Sequence, residues 1–445
     1  MNGQREQWGS RLGFILAAAG SAVGLGNIWR FPYVTGTNGG AAFLIIYLAA
    51  IILIGYPMMV TEVGIGRKTQ RNPIGAFKAL APNTPWWLVG ALGVFAGFLI
   101  LSYYSVVAGW ALAYIFKSLG GFTSDMAFAD LFIGHITQVG QPILWHAIFM
   151  GLCVAIIAAG VVNGIQRWVK LLMPLLAILL VVVAIRALTL PGAGAGVAFY
   201  LQPDFGAVTG GTFLAAIGQS FFTLSLGMGA MITYGSYLKK EDTVPGNAGY
   251  VVAADTGIAI IAGFAIFPAV FALGLEPGAG AGLTFITLPA VFAEIPGGSF
   301  FAFLFFVLLS IAALTSAISL LEVVVAWITD EKGVSRKKAA SVVGLICFIV
   351  GIPTVLGYSA WSGFSFLGFD LLDTYDWIAN ALVLPIGGLL TAIFAGYVWT
   401  AKKAQEDFNN PPSSIVLGDW YGILIKFVVP IAIVVVLVVG IIDVM

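Results

Sequence analysis

The sequence predicts an all-α polytopic membrane protein with eleven transmembrane helices in a single domain, residues 1–445. Three observations predict it. Only 9% of the 445 residues are charged, where a soluble domain carries about 25%. Mean hydropathy is +1.02. Apolar runs long enough to cross a bilayer, roughly 20 residues each, follow one another from end to end.

The runs fall at 10–37, 41–66, 87–118, 142–160, 165–187, 212–238, 247–274, 299–329, 337–356, 371–400 and 421–443. The first is read as a retained span, because no small-residue cleavage site follows it. Orientation follows from Lys and Arg, which collect on the cytoplasmic side. With the N-terminus inside, seventeen of the twenty lie in cytoplasmic segments, leaving Lys117 and Arg186 outside and Arg30 within a span. An odd number of spans then puts the C-terminus outside, and the expected location is the plasma (inner) membrane. External segments are acidic or rich in Gly and Pro, and one holds an apolar piece, 283–293, too short to span. A re-entrant or surface helix capping an entrance is expected there.

Composition also excludes several functions. No basic stripe exists to bind nucleic acid. Cys153 and Cys347 sit in apolar runs and are expected as free, packed thiols. His135 and His146 lack zinc-ligand spacing. No GxxxxGK[ST] cradle, HExxH helix or nucleophile–base pair appears, so neither an ATP-driven pump nor an intramembrane enzyme is expected.

Two spans are interrupted. The first carries "GSAVGLGNIWRFP" at 20–32, and the sixth carries "GQSFFTLSLGMGAMITYGSY" at 218–237. They are corresponding members of two five-span halves, 10–187 and 212–400, with 421–443 as an added span. Five being odd, the second half enters from the opposite face, which makes an inverted repeat; paired Gly-interrupted spans in such halves point to a transporter's binding site. A broken helix frees carbonyls that lipid cannot satisfy, and desolvated Na⁺ accepts them together with hydroxyl and amide oxygens. The half-helix starting near Leu25 offers bare N–H groups and a positive dipole end to a carboxylate. Read alone, Gly20 and Gly24 are more simply a helix-packing motif than a site; Asn27 and Arg30, with Thr223 and Ser225 in the symmetric span, tip the balance to a site.

These residues resemble the neurotransmitter:sodium symporter family. The likeness runs from "REQWGSRLGFILAAAGSAVGLGNIWRFPYVTGTNGGAAF" through "GQSFFTLSLGMGAMITYGSYLKK" and "IAALTSAISLLEVVVAWITDEKGVSRKKA" to "DLLDTYDWIANAL", covering spans one to ten. The usual family pattern has twelve spans against eleven expected here, so no twelfth-helix dimer contact and no obligate protein partner are expected. The resemblance implies a 5+5 inverted-repeat (LeuT-like) core with discontinuous helices 1 and 6, and Na⁺-coupled import of an amino acid by alternating access.

It also implies site residues. The first Na⁺ is expected on the Ala22 carbonyl, Asn27, Thr223 and Asp255. The second is expected on the carbonyls of Gly20, Val23 and Ala312 with the hydroxyls of Thr315 and Ser316. All-oxygen sets suit a hard cation, although Thr315 and Ser316 read alone would bond back to their own helix. The substrate carboxylate would meet the Leu25 and Gly26 amides and the Tyr104 hydroxyl. Its ammonium would meet the carbonyls of Ala22, Phe222 and Thr223 and the Ser225 oxygen. Amine-transporting relatives carry aspartate where Gly24 stands, so glycine implies an α-amino acid. Ser21, Ile100, Tyr104, Phe222, Met228, Ser316 and Leu320 would form an apolar pocket, which Met228 makes adaptable; hydrophobic amino acids, aliphatic and aromatic, are expected.

Asp255 departs from the family's common asparagine. A carboxylate within a span needs a partner; Na⁺ would be one, and no chloride requirement is expected. Arg30 is expected to pair through water with Asp376 as the outer gate, above Phe222 and Tyr104. Arg5 with Asp330, braced by Trp8 and Tyr237, is expected as the inner gate. Gly164 and Pro174 would let the cytoplasmic end of the fifth span unwind to release Na⁺. Glu62 matches an acid near the breaks, whereas Glu322 has no reading. The alternatives are a sodium-dependent transporter of another small amino-acid-like substrate, and a channel or amino-acid sensor on the same fold.

Overall fold

The computed structural model describes residues 5–275 and 282–442. The glycine-rich stretch of the external segment, 276–281, and the end of the last span at residue 443 lie outside the described residues. Local chemistry starts the helices. Ser10 accepts from the Gly13 amide at 3.1 Å to open the first helix, Arg11–Ala22. Thr209 and Thr212 close a reciprocal capping box before Gly210–Thr223, and Asp370 takes the Asp373 amide at 2.8 Å at the head of the tenth span. Each cap satisfies donors that a helix leaves orphaned at its start.

Among the described residues nine helices are long and apolar enough to cross a membrane: Ala41–Thr69, Trp87–Leu119, Gly140–Ala158, Val161–Leu188, Pro245–Ala272, Gly298–Lys332, Arg336–Leu356, Leu371–Val398 and Asp419–Ile442. A tenth is the first span, Arg11–Ala22 and Gly26–Thr37, bent by 51° at its break. The expectation of eleven counts the sixth span as well. That span is interrupted more severely: Gly210–Thr223 and Ala230–Gly235 are separated by six residues, 224–229, and neither piece crosses alone. The short apolar helix in the external segment is Leu283–Glu294.

The third and eighth spans pack most extensively on each other, and the first span lies against the fifth, seventh and eighth. The sixth span's second piece rests on the second span. Both interruptions are therefore enclosed by protein, which is where a membrane tolerates irregular backbone. The last span, Asp419–Ile442, leans on the tenth and touches the second and sixth, and most of its apolar surface stays outside the protein core.

Two boundaries differ from expectation. The fifth span begins at Val161, joined to the fourth by Ala159 and Gly160 alone, and its first six residues form a wide π-helical turn. It remains wound through Gly164 and Pro174. His146 lies inside the fourth helix, fully buried and stacked on Phe348 at 4.8 Å. His135 is buried in a separate short helix, Phe128–Ile136.

Candidate binding site at two helix breaks

The first break turns on Val23, whose ψ of 97° leaves the helix. The chain is held there by two bonds at its elbow. The Gly24 amide donates to Asn27 Oδ1 at 3.1 Å, and the Asn27 amide donates to the Gly24 carbonyl at 3.2 Å. The second break bends through positive φ at Ser225 (53°), Gly227 (80°) and Gly229 (74°). Left-handed backbone is costly for serine; here the Ser225 hydroxyl donates to the Ser21 carbonyl at 2.9 Å, tying the second break to the first. Glu62, fully buried, accepts the Gly227 amide at 2.7 Å and gives that break a hydrogen bond the helix would have supplied.

Three of the residues expected around the first Na⁺ meet directly. The Asn27 amide donates to Asp255 Oδ1 at 2.8 Å, and the Thr223 hydroxyl lies 3.1 Å from both Asp255 oxygens. All three are buried, and Asp255 is at 0% exposure. Ala22 lines the adjoining cavity. Asp255 and Thr223 bring hard oxygens together around one buried negative charge, which suits a desolvated monovalent cation. Asn27 here turns its N–H to Asp255 and its Oδ1 to the Gly24 amide, so it joins such a set only by turning its oxygen inward.

The second expected set also converges. The Thr315 hydroxyl lies 3.4 Å from the Val23 carbonyl, and the Ser316 hydroxyl lies 3.5 Å from the carbonyls of both Gly20 and Val23. Thr315 bonds back to Ile311 and Ala312 at 3.1 and 3.0 Å, so its helix-bonding reading holds at the same time. Ser316 reaches across to the Ser21 carbonyl at 2.9 Å, and Ser21 in turn bonds Ser319, which sequence reasoning missed.

Between the breaks lies a narrow cavity of about 30 Å³ lined by Ser21, Ala22, Gly24, Leu25, Gly26, Ile100, Tyr104, Phe222, Ser225, Met228, Ser316 and Leu320. The Leu25 amide donates to the Tyr104 hydroxyl at 3.2 Å. Gly24 is forced by close approach: a Cβ there would stand 2.3 Å from Ser316 Oγ and 3.0 Å from the Tyr104 hydroxyl. Every carrier of the expected pocket except Thr223 borders this space; Thr223 sits behind it with Asp255.

Phe222 separates this cavity from a larger one of about 570 Å³ that holds Arg30 and Asp376. The Arg30 guanidinium lies 4.7 Å above the Phe222 ring, and its Nη1 reaches Gln219 at 3.4 Å. Gln219 also donates to the Gly26 carbonyl at 3.2 Å. Asp376 accepts from Tyr103 at 2.9 Å and Asn380 at 2.7 Å. Arg30 and Asp376 face the same cavity without a direct ion pair among the described residues.

The opposite end is shut. Arg5 pairs with Asp330 and bonds Ser236 at 2.7 Å, with its guanidinium 4.8 Å over the Tyr237 ring. The Trp8 indole N–H donates to the Tyr234 carbonyl at 2.9 Å, and its ring meets Tyr234 and Tyr237 edge-on. Glu322, unread in the sequence, accepts the Tyr237 hydroxyl at 2.5 Å and pairs with Arg336, so it holds this barrier from beneath. Gly164 and Pro174 border none of these cavities and lie along the fifth span.

Comparison with known proteins agrees with this geometry. The model of the sodium:neurotransmitter symporter family matches residues 5–131 and 126–445. A Bacillus subtilis protein, YhdH, described as an uncharacterized sodium-dependent transporter, is 42% identical over 435 residues, spanning 97% of this chain and 96% of that one. The dog sodium- and chloride-dependent taurine transporter is 30% identical over 433 residues, 84% of this chain and 68% of the relative. The crystal structure of MhsT in complex with L-phenylalanine superposes with a TM-score of 0.91 at 49% identity, covering 98% of this chain and all of that one. The chain belongs to the sodium:neurotransmitter symporter family and is a sodium-dependent, multi-pass membrane symporter with the LeuT-like fold of MhsT.

Proposed function

We propose that this symporter imports hydrophobic L-amino acids, aliphatic and aromatic, together with two Na⁺ and without chloride. The carrying observation is the buried Asp255 carboxylate bridging Asn27 and Thr223 beside a glycine at 24. A carboxylate there supplies the negative charge that would otherwise come from a bound anion. Glycine leaves room for an α-carboxylate on the Leu25 and Gly26 amides and Tyr104. Ile100, Phe222, Met228 and Leu320 offer the side chain an apolar wall, and the phenylalanine held by MhsT supports that class.

The two five-span halves, 10–187 and 212–400, are read as the parts that move. With the N-terminus cytoplasmic, the Arg5–Asp330 barrier closes the inside while the larger cavity opens outward. Substrate and Na⁺ enter past Phe222, and approach of Arg30 to Asp376 closes the outside. Breaking the Arg5 and Trp8 contacts, with loosening of the fifth span's cytoplasmic end, releases both ions and substrate inward.

The test is uptake of labelled amino acids into proteoliposomes under an imposed Na⁺ gradient, with and without Cl⁻. Saturable, concentrative, chloride-independent uptake of phenylalanine or leucine is expected. Binding without accumulation would make the protein a sensor, and ohmic current without substrate a channel.

A further inference from the structure

The start of the fifth span has an unusual cap. Its first residue, Val161, follows Gly160, which has no side chain with which to cap a helix, and the Ncap position makes no side-chain bond. The orphan N–H groups at such an end need an acceptor, and a carboxylate is favoured by the helix dipole. The acceptor comes from 155 residues away: the Val161 amide donates to Glu6 Oε2 at 2.7 Å. Glu6 belongs to the N-terminal strap that leads from Arg5 to the first helix.

A second contact runs the other way. Gln166, at the end of the same turn and 6% exposed, accepts the Gly9 amide at 2.8 Å. Its side chain lies flat on the first helix, where a Cβ at Gly13 would stand 2.4 Å from Gln166 Oε1. The strap and the opening turn of the fifth span thus exchange one bond each. Glu6 also approaches Arg336 at 3.7 Å, with the two side chains 49% and 17% exposed, an exposed pair of little consequence. Arg336 is instead occupied by Glu322 and by the Ile157 carbonyl at 2.7 Å.

We infer that Glu6 and Gln166 are positioning residues that make displacement of the N-terminal strap and fraying of residues 161–166 a single event. This inference rests on the alternating-access reading above. When Arg5 and Trp8 leave the inner barrier, Glu6 leaves with them and the fifth span loses its cap. The amides of Gly164 and Ile165, both bonded to the Gly160 carbonyl at 3.1 Å, are then the next to open. Coupling of this kind is reciprocal: loosening the turn must also loosen the strap.

The test is hydrogen–deuterium exchange on the full-length protein in lipid nanodiscs, following peptides that cover 5–14 and 158–168, alongside sodium-driven uptake. Glu6→Ala is expected to raise exchange at 161–165 about fivefold, the effect of removing a helix cap. Glu6→Gln, which keeps an acceptor but loses the charge toward Arg336, is expected to restore near wild-type exchange. Gln166→Ala is expected to raise exchange in both peptides together. In the wild type Na⁺ should slow both peptides in parallel, and Glu6→Ala should break that parallel. Unchanged exchange at 161–165 in Glu6→Ala would overturn the inference. So would a Gln166→Ala protein in which 161–165 opens while 5–14 stays protected. Loss of uptake specificity or sodium dependence in the wild type, with the exchange pattern intact, would count against the transport reading alone.

Discussion

The Asn27 side chain donates to the Asp255 carboxylate across 2.8 Å, linking the first helix break to the middle of the seventh span. With Thr223 on the same carboxylate, both breaks share one buried negative charge. Such a charge is stable only with a compensating partner, which the proposed function assigns to Na⁺. Replacing Asp255 by Asn keeps the shape and removes the charge. Uptake by the variant is expected either to require added chloride or to fall to background, measured in proteoliposomes with gluconate or chloride as the anion. Unchanged chloride-free uptake would falsify the charge-substitution reading.

Gly24 offers a steric test. Alanine there would drive a methyl to 2.3 Å from Ser316 Oγ and 3.0 Å from the Tyr104 hydroxyl. Overpacking of this kind costs roughly 1–3 kcal/mol, and it falls on the wall assigned to the substrate's backbone. Gly24→Ala is expected to weaken binding of L-phenylalanine by about tenfold or more, while the purified protein keeps its helical signal. Wild-type affinity would mean that the amino acid lies elsewhere.

Much of this site was legible because membranes punish particular residue types. Glycines and polar groups at 20–27 and 223–229, and an aspartate at 255, stand out against apolar spans and lie buried at the centre of the fold, while Arg30 lies in the larger cavity with Asp376. The apolar wall was legible only through the family likeness, since Ile100 or Leu320 alone reads as packing. Glu6, Gln166, Ser236 and Ser319 were missed for a different reason. They are ordinary polar residues near helix ends or on small-residue faces, and their partners lie 155 to 298 residues away. Glu322 stood out but could not be paired, because Arg336 reaches it only once the eighth and ninth helices fold back on each other. The fifth span shifted because Gly160, with φ of 96°, ends the fourth helix where an apolar run gave no signal.

Glu322 carries a stability prediction. It is fully buried and serves both the Tyr237 hydroxyl and the Arg336 guanidinium. Removing one member of a buried pair leaves the other charge uncompensated, at about 3–5 kcal/mol; Arg336 keeps 17% exposure, which places the cost at the low end. Glu322→Ala is expected to lower the thermal midpoint by several degrees, whereas Glu322→Gln, still able to accept from Tyr237, is expected to lose less. Wild-type midpoints in both variants would show that the pair is dispensable.

Pro174 sits inside a helix that stays wound around it. Proline removes one backbone bond and clashes with the turn before it, about 3 kcal/mol in a helix interior, so the segment from Val161 onward is held more weakly than its apolar sequence suggests. Pro174→Ala restores the bond. The variant is expected to bind substrate normally but to take it up several-fold more slowly, with the deficit in turnover and not in apparent affinity. An unchanged turnover would reduce Pro174 to a fixed kink.

His135 makes the pH dependence one-sided. Burial, with Lys117 nearby, pushes its pKa down from 6.5 to about 4. In the unfolded chain the imidazole protonates as the pH falls through 6.5, while in the folded protein it stays neutral until about 4. The unfolded state therefore binds more protons in that window, and stability rises with pH across it. The thermal midpoint is expected to fall as pH drops from 6.5 toward 4 and to level off below. His135→Gln, which cannot take up a proton, is expected to flatten that part of the profile, as followed by thermal melts of detergent-solubilised protein across the range. A profile equally steep in the variant would assign the slope to other groups.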